Sequence, residues 1–242
     1  MTMTDQSPAS PPNPQRGVKV RAYADTLRSE LKSSPSMRKG ERTRLRLRIA
    51  AAEALEKSGY QDLKVADICK LAGVSLGTFY IYFTDKEDIS VGIAMDFVTH
   101  LYDEARRASN GLGDWQAVYE TNLFFVKAYG ANPGLMRSHV QLQSLEPAFR
   151  AVWEPLHQEW LNRLARSIRR RSPEDLSPED ALRMALALEQ MVFSYIYNAV
   201  VTQAFPVKTD ESDPEKLAKM LTQLWFRAIH ARDPSPSEMA GT

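Results

Sequence analysis

Between Gly59 and Ile89 the chain reads GYQDLKVADICKLAGVSLGTFYIYFTDKEDI, and no other stretch narrows the possible folds as far. Val65, Ile68 and Leu71/Ala72 recur at helical spacing, and Gly73 breaks that helix. Val74 closes the turn with an apolar side chain, and Ser75 is placed to accept a hydrogen bond from the start of a second helix. Phe79 and Phe83, four apart, face inward, which leaves Thr78, Tyr80 and Tyr82 outside. Gly77 has no side chain, so another backbone can come close there. Two short helices about a tight turn, the second with outward hydroxyls, meet the requirements for reading a major groove.

Charge supports that expectation. The 242 residues carry a net charge of only +1, but residues 1–48 hold 11 Lys/Arg against 4 Asp/Glu, while the remainder is net acidic. A basic end is ordinarily a solvated tail. Next to a groove-reading motif it predicts an electrostatic footprint for DNA. The single cysteine, Cys69, excludes an internal disulfide framework, fits a reducing cytosol, and reads as a small buried hydrophobe. No unbroken 18-residue apolar run is present and the first residues lack a basic region followed by an apolar core, so neither a membrane span nor a secretory signal is expected.

Along the chain, Pro, Ser and Asn crowd residues 1–15, which predicts disorder. Val20, Tyr23/Ala24, Leu27 and Leu31 share one stripe of an amphipathic helix over 18–32, broken by SSPS at 33–36. A helix is expected from about Glu41 to Ser58, with Leu47, Ala50/Ala51, Ala54 and Leu55 inward and Gly59 ending it. After the two short helices, Asp85 serves as an N-cap, and Ile89, Ile93, Phe97 and Leu101 line one face of a helix running to about Ser109. Beyond Asn110–Gly113 the pattern stays helical, with helices near 114–130, 133–144, 147–171, 178–204 and 214–231 and a frayed tail over 233–242. Ser177-Pro178 and Asp213-Pro214 are helix starts, since Pro at the first helical position forfeits no hydrogen bond. Pro155 is a candidate kink.

The string Gly59-Tyr60, Val65, Asp67-Ile68, Ala72-Gly73-Val74-Ser75, Gly77-Thr78-Phe79-Tyr80, Tyr82-Phe83 and Lys86-Glu87 resembles the DNA-binding domain of the TetR family of bacterial transcriptional regulators. The likeness extends from about Thr43 to Ile89, about a fifth of the chain. It implies contacts to bases or phosphates from Ser75, Leu76, Gly77, Thr78, Tyr80 and Tyr82, a phosphate grip by Lys86, and a backbone contact by Arg44 near the start of its helix. Each has a plainer alternative: a tyrosine packing on a neighbouring helix, or a cation that merely faces water. Two positions depart from the pattern. Leu76 stands where many members carry a polar residue and can touch only a thymine methyl. Lys64 stands where many carry a capping Thr or Ser; it cannot accept a capping hydrogen bond, though it can grip phosphate.

The resemblance also implies a C-terminal region that holds a small-molecule pocket and a dimer interface. Phe125, Met136, His139, Gln143, Trp153, Phe193 and Tyr197 are the candidate effector contacts, with His139 and Gln143 as polar anchors four apart; an ordinary helical core has the same composition. Leu182, Leu186, Glu189 and Phe193, and Leu217, Leu221, Leu224 and Ala228, form the two stripes expected to build a homodimer. The four histidines form no i,i+4 metal pair, and neither a Gly-rich phosphate loop nor a GxSxG elbow occurs; no metal, cofactor or catalytic residue is expected.

The chain is thus expected to be all-α, with an N-terminal extension (1–37), a helix-turn-helix DNA-binding domain (38–88), a helical effector-binding and dimerisation domain (89–232) and a flexible tail (233–242). The expected function is cytoplasmic, non-enzymatic transcription regulation: a repressor released from a palindromic double-stranded operator by a small molecule. The alternative is a helical ligand-binding or enzymatic protein with a vestigial helix-turn-helix, a reading that Leu76 encourages.

Overall fold

A computed structural model describes residues 20–204 and 213–240. The expected disorder of residues 1–15, and the first two residues of the helix expected over 18–32, lie outside that range. The described residues are helical with no strand: α1 (Tyr23–Ser33), α2 (Lys39–Ser58), α3 (Val65–Ala72), α4 (Leu76–Tyr82), α5 (Lys86–Ser109), α6 (Asp114–Ala131), α7 (Pro133–Leu145), α8 (Pro147–Arg171), α9 (Pro178–Ile196), a π-turn (Tyr197–Val201), α10 (Pro214–His230) and α11 (Pro236–Ala240).

The punctuation read from the sequence acts at the atomic level. Gly73 ends α3 in the left-handed conformation (φ 64°), and the Val74 N–H closes back on the Cys69 carbonyl at 3.1 Å. Ser75 Oγ then accepts from the Thr78 N–H at 3.1 Å, a cap that contributes about 1 kcal/mol to so short a helix. Asp85 accepts from the Asp88 N–H at 2.8 Å, and Asp88 accepts from the Thr84 N–H at 2.9 Å. Ser177 and Asp213 cap α9 and α10 as their Pro-flanked positions predict. Two differences stand out. Pro155 lies inside α8, which continues through it to Arg171. Residues 236–240 form α11, packed against α6, where a frayed tail was expected.

Helices α2, α3 and α4 form the reading head, with α3 and α4 at 99° to one another. Helices α5 to α10 form the bundle behind it. The core runs unbroken between them, from Leu47, Leu55 and Ile68 through Ile93 and Phe97 to Leu142 and Leu221. The α5 stripe Ile89, Ile93, Phe97 and Leu101 is buried along its whole length. Helix α1 closes the side of the head, with Tyr23, Ala24 and Leu27 buried and the Tyr23 ring 5.3 Å from that of Phe97. The Tyr23 N–H, at the start of α1, is satisfied by Asn132 Oδ1 at 2.6 Å.

The tightest join is between α2 and α7. The two Glu56 carboxylate oxygens accept from the Gly134 and Leu135 N–H groups, each at 2.9 Å, and Ser138 Oγ donates to the Leu55 carbonyl at 3.3 Å. At Gly134 a Cβ would lie 1.8 Å from the Glu56 carbonyl oxygen, so backbone meets backbone there. Gly134→Ala should therefore cost roughly 3 kcal/mol or more in urea unfolding. Gly92→Ala, on a part of α5 with nothing within 4 Å, should be neutral or stabilising. Equal midpoints for the two variants would contradict this packing.

Candidate nucleic-acid interface and candidate ligand cavity

The outer edge of the head is assembled from the start of α4, the loop before α3 and the first turns of α2. Ser75, Leu76, Gly77 and Tyr80 are exposed, Thr78 is half-buried beneath them, and Lys64 is exposed at the N-cap of α3. Tyr82 is half-buried; its hydroxyl would lie 3.5 Å from a Cβ at Gly40, which places the phenol beside the N-terminal turn of α2. Arg44 is exposed, with its guanidinium 5.5 Å from the centre of the Phe83 ring. The edge therefore combines hydroxyls with the exposed cations Lys64 and Arg44, donors that phosphates and base edges accept.

Lys86 departs from this arrangement. Its ammonium donates to the Tyr60 and Gln61 carbonyls at 3.4 and 3.3 Å and lies 4.9 Å from the centre of the Tyr60 ring. It holds the α2–α3 connection instead of projecting from the head. The same turn is tied to the bundle, since the Tyr60 N–H donates to Gln141 Oε1 at 2.8 Å and its hydroxyl donates to Glu146. Glu146 beside Glu87, together with burial and Asp85, pushes the Glu87 carboxyl above its usual range. Several basic residues of the head also serve inside it: Arg46 donates to the Ala72 carbonyl at 2.5 Å, Arg48 pairs with Asp96, and Arg42 donates to the Pro35 carbonyl at 3.2 Å. In α1, Arg28 is held by Asp25 and Glu53 at 2.6 and 2.5 Å.

Two exposed apolar residues join the edge unforeseen. Ile81 is 75% exposed, more than Tyr80 at 58%, and Leu71 is 53% exposed although its spacing suggested a buried place. Ile81 lies three and four residues after Thr78 and Gly77, so helical spacing already set it on their outward stripe. With Leu76 it offers apolar surface suited to thymine methyl groups.

Inside the bundle, α6, α8, α9, α10 and the α5–α6 turn enclose a cavity of about 410 Å³, within the range of small-molecule sites. Its wall includes Phe125, Tyr129, Trp160, Leu164, Phe193 and Trp225, with Asn122, Thr121 and Glu189 as polar groups. Ring packing fixes the aromatic side: Phe125 meets Trp160 at 6.1 Å and Tyr129 at 6.0 Å, and Trp160 stacks on Tyr102 at 4.7 Å. The Asn122 amide donates to Thr222 Oγ1 at 3.0 Å.

Of the candidate effector contacts, Phe125 and Phe193 line this cavity. Tyr197 stacks on Phe193 from the π-turn, outside the wall. Met136, His139, Gln143 and Trp153 lie outside its wall: the first three are on α7, which packs against α2, with Met136 and His139 buried, and Trp153 is in the N-terminal half of α8. His139 is wedged edge-on between Phe149 and Trp153 at 5.4 and 5.9 Å, and Trp153 stacks on His157 at 4.4 Å. The sequence reading overlooked the polar lining and a row of arginines, Arg163, Arg166 and Arg170, along α8 at the cavity wall. Their spacing of three and four was a legible sign of one shared face.

Likenesses to known proteins follow the same division. A sequence model of bacterial regulatory proteins, tetR family, matches residues 48–91, and one of the C-terminal domain of the transcriptional regulator EthR matches residues 118–231. The chain is 25% identical over 195 residues to the HTH-type transcriptional regulator EthR of Mycolicibacterium smegmatis, which spans 76% of this chain and 84% of that protein. It is 27% identical over 202 residues to EthR of Mycobacterium tuberculosis, spanning 80% and 90%. Among solved structures, the fatty acid degradation regulator FadR from Bacillus halodurans has the same fold with a TM-score of 0.63 and 21% identity, over 79% of this chain and 97% of that one. A regulatory protein in the tetR family from Rhodococcus RHA1 gives 0.62 and 22%, over 79% and 98%.

Burial, with His157 nearby, lowers the His139 imidazole from 6.5 to about 4. The unfolded chain therefore takes up this proton near pH 6.5 and the folded chain only near pH 4. Stability should be independent of His139 above pH 6.5 and fall as pH drops from 6.5 towards 4, by on the order of 2–3 kcal/mol in total. Unfolding free energies of the native chain and His139→Gln, measured at pH 7 and pH 4.5, should diverge by most of that amount, with the variant losing less. Parallel losses would contradict a buried neutral imidazole.

Proposed function

The chain belongs to the TetR family of bacterial DNA-binding transcriptional regulators, and on that premise we propose that it is a homodimeric cytoplasmic repressor, without enzymatic activity, released from a palindromic operator by a small molecule bound in the bundle cavity. Residues 38–88 serve as the reading unit and the bundle as the sensing and dimerising unit. Ser75 to Tyr82 enter the major groove, Lys64 and Arg44 take phosphates, and Lys86 supports the head from within.

What carries the release mechanism is the unbroken physical link from the cavity to the head. Phe193 and Ile196 of the cavity wall lead directly into the π-turn. The carbonyl of Val201, in that turn, accepts from Arg137 on α7 at 3.4 Å, and α7 is clamped on Glu56 of α2. π-turns recur at functional sites, and here one sits between sensor and reader. A ligand that favours one packing of α9 would bias α7, and with it the spacing of the two heads in a dimer. Helix α5, packed on α2, α6 and α8, is the second member common to both units.

The dimer reading rests on α9 and α10. The span Pro178–Val201 is long and apolar enough to cross a membrane by length and composition, yet only 28% of its most apolar window is buried within the chain. Leu186 and Leu224 stand 44% and 40% exposed, with Ala187 and Ala228 exposed beside them. A second copy related by a two-fold axis would cover this surface with the same surface. The expected stripes are narrower than they first read: Glu189 and Phe193 line the cavity, and Leu217 and Leu221 are buried in the protomer core.

Genomic fragments selected with the purified protein should yield a two-fold-symmetric site bound in a salt-dependent way. Replacing Tyr82 and Thr78 together with Ala should weaken binding to that site by roughly 1–3 kcal/mol per lost contact and leave the dimer intact. Leu186→Asp with Leu224→Asp should sediment as a monomer and lose the site. Selection of no DNA would favour a vestigial head, and monomeric native protein at micromolar concentration would overturn the dimer.

A further inference from the structure

The cavity has one wall whose chemistry an apolar ligand would leave unanswered. Arg163, Arg166 and Arg170 stand along one stripe of α8, all three lining the cavity and all three exposed. Arg106 on α5 lies close enough to act on Arg163, and burial together with Arg106, Arg166 and Arg170 lowers the Arg163 guanidinium from its usual value. The neighbouring arginines have partners: Arg106 is paired with Asp103, Arg107 with Glu104, and Arg171 with Asp114 at 2.5 Å. Arg163, Arg166 and Arg170 have no ion pair among the described residues. Like charges three and four residues apart on a helix repel, so the row favours an anion placed between them. The single carboxylate among the lining residues, Glu189, is engaged elsewhere: it accepts from Gln190 at 2.8 Å and faces His157 at 3.6 Å.

Behind the arginines the wall turns apolar, with Phe125, Trp160, Leu164, Val192, Phe193 and Ile196. A bare inorganic anion would satisfy the charges and leave this interior unfilled. A neutral hydrocarbon would fill the interior and leave the guanidinium groups facing one another. Building on the assignment of this cavity as the effector site, we infer that its ligand is an amphipathic anion, with an apolar tail among the aromatic rings and a carboxylate or phosphate head on Arg163, Arg166 and Arg170. Both heads suit the planar two-donor geometry of guanidinium, which a lysine row would not provide.

The test titrates full-length protein with dodecanoate, dodecyl phosphate, dodecanol and dodecylamine below their micellar concentrations, reading fluorescence of the cavity residues Trp160 and Trp225 and the heat of binding. One or both anions should bind at least about tenfold more tightly than the alcohol, the scale of one charge-assisted hydrogen bond, and the tighter of the two identifies the head. Arg163→Ala, Arg166→Ala and Arg170→Ala combined should remove most of that advantage, while dodecanol affinity stays within about twofold, a sign that the cavity is intact. Equal affinities for anion and alcohol would overturn the anionic head and leave the effector cavity standing. Tighter binding of the amine would overturn it in favour of Glu189. Failure of all four probes to bind would overturn the inference and count against the cavity as a site for apolar chains.

Discussion

The architecture depends on two oxygens of one carboxylate. Glu56 sits in the last turn of α2 and accepts the first N–H groups of α7, which would otherwise be unpaired inside the protein. Placing a carboxylate at that helix start also sets negative charge against the positive end of its dipole. The contact requires the two backbones to meet, and only a residue without a side chain allows it at position 134. From it follow the angle at which the head leaves the bundle, the burial of Met136 and His139 beneath it, and the proximity of the Tyr60 turn to Gln141 and Glu146.

Basic residues in this chain fall into distinct employments. Within the head, Arg42, Arg46, Arg48 and Lys86 are bound to carbonyls or to Asp96, holding helix ends and loops in place. Arg44 and Lys64 remain on the outside, at the edge formed by α4. On α8 a third group lines the cavity. Net charge along the sequence registers all of these alike. Their separation depends on which carbonyls and carboxylates the fold brings near, and the second and third groups keep capacity for a partner.

Much of the fold was legible because helix punctuation here is local chemistry. Ser75, Asp85, Ser177 and Asp213 cap helices from adjacent positions, and the four-residue stripe of α5 sits where its spacing put it. The exposure of Ser75, Leu76, Gly77 and Tyr80 was legible for the same reason; that of Leu71 was not. Leu71 follows Ile68 at a spacing that an amphipathic pattern assigns inward, and a helix of eight residues is too short for periodicity to correct that assignment. The cavity was legible only in part. Phe125 and Phe193 line it, whereas Met136, His139 and Gln143 are on α7, which is held against α2 by a contact 78 residues apart in sequence, and Trp153 on α8 stacks on His157 instead. A stripe of aromatic residues does not say which neighbour it packs against.

The continuous core has a consequence for how such a protein can be taken apart. Helix α2 places Leu55 and Glu56 against α7, and α1 returns from before the head to rest on Asn132 of the bundle. The DNA-reading helices are therefore no portable cassette. Moved to another sensor, they would arrive with the underside of α2 bare and Glu56 without its donors. Substitutions along the outer edge of α4, where side chains face solvent, leave this joint untouched. A head moved as a block keeps its joint only if α7 moves with it, so the smallest unit that carries its own packing extends past α5 and α6 to Leu145.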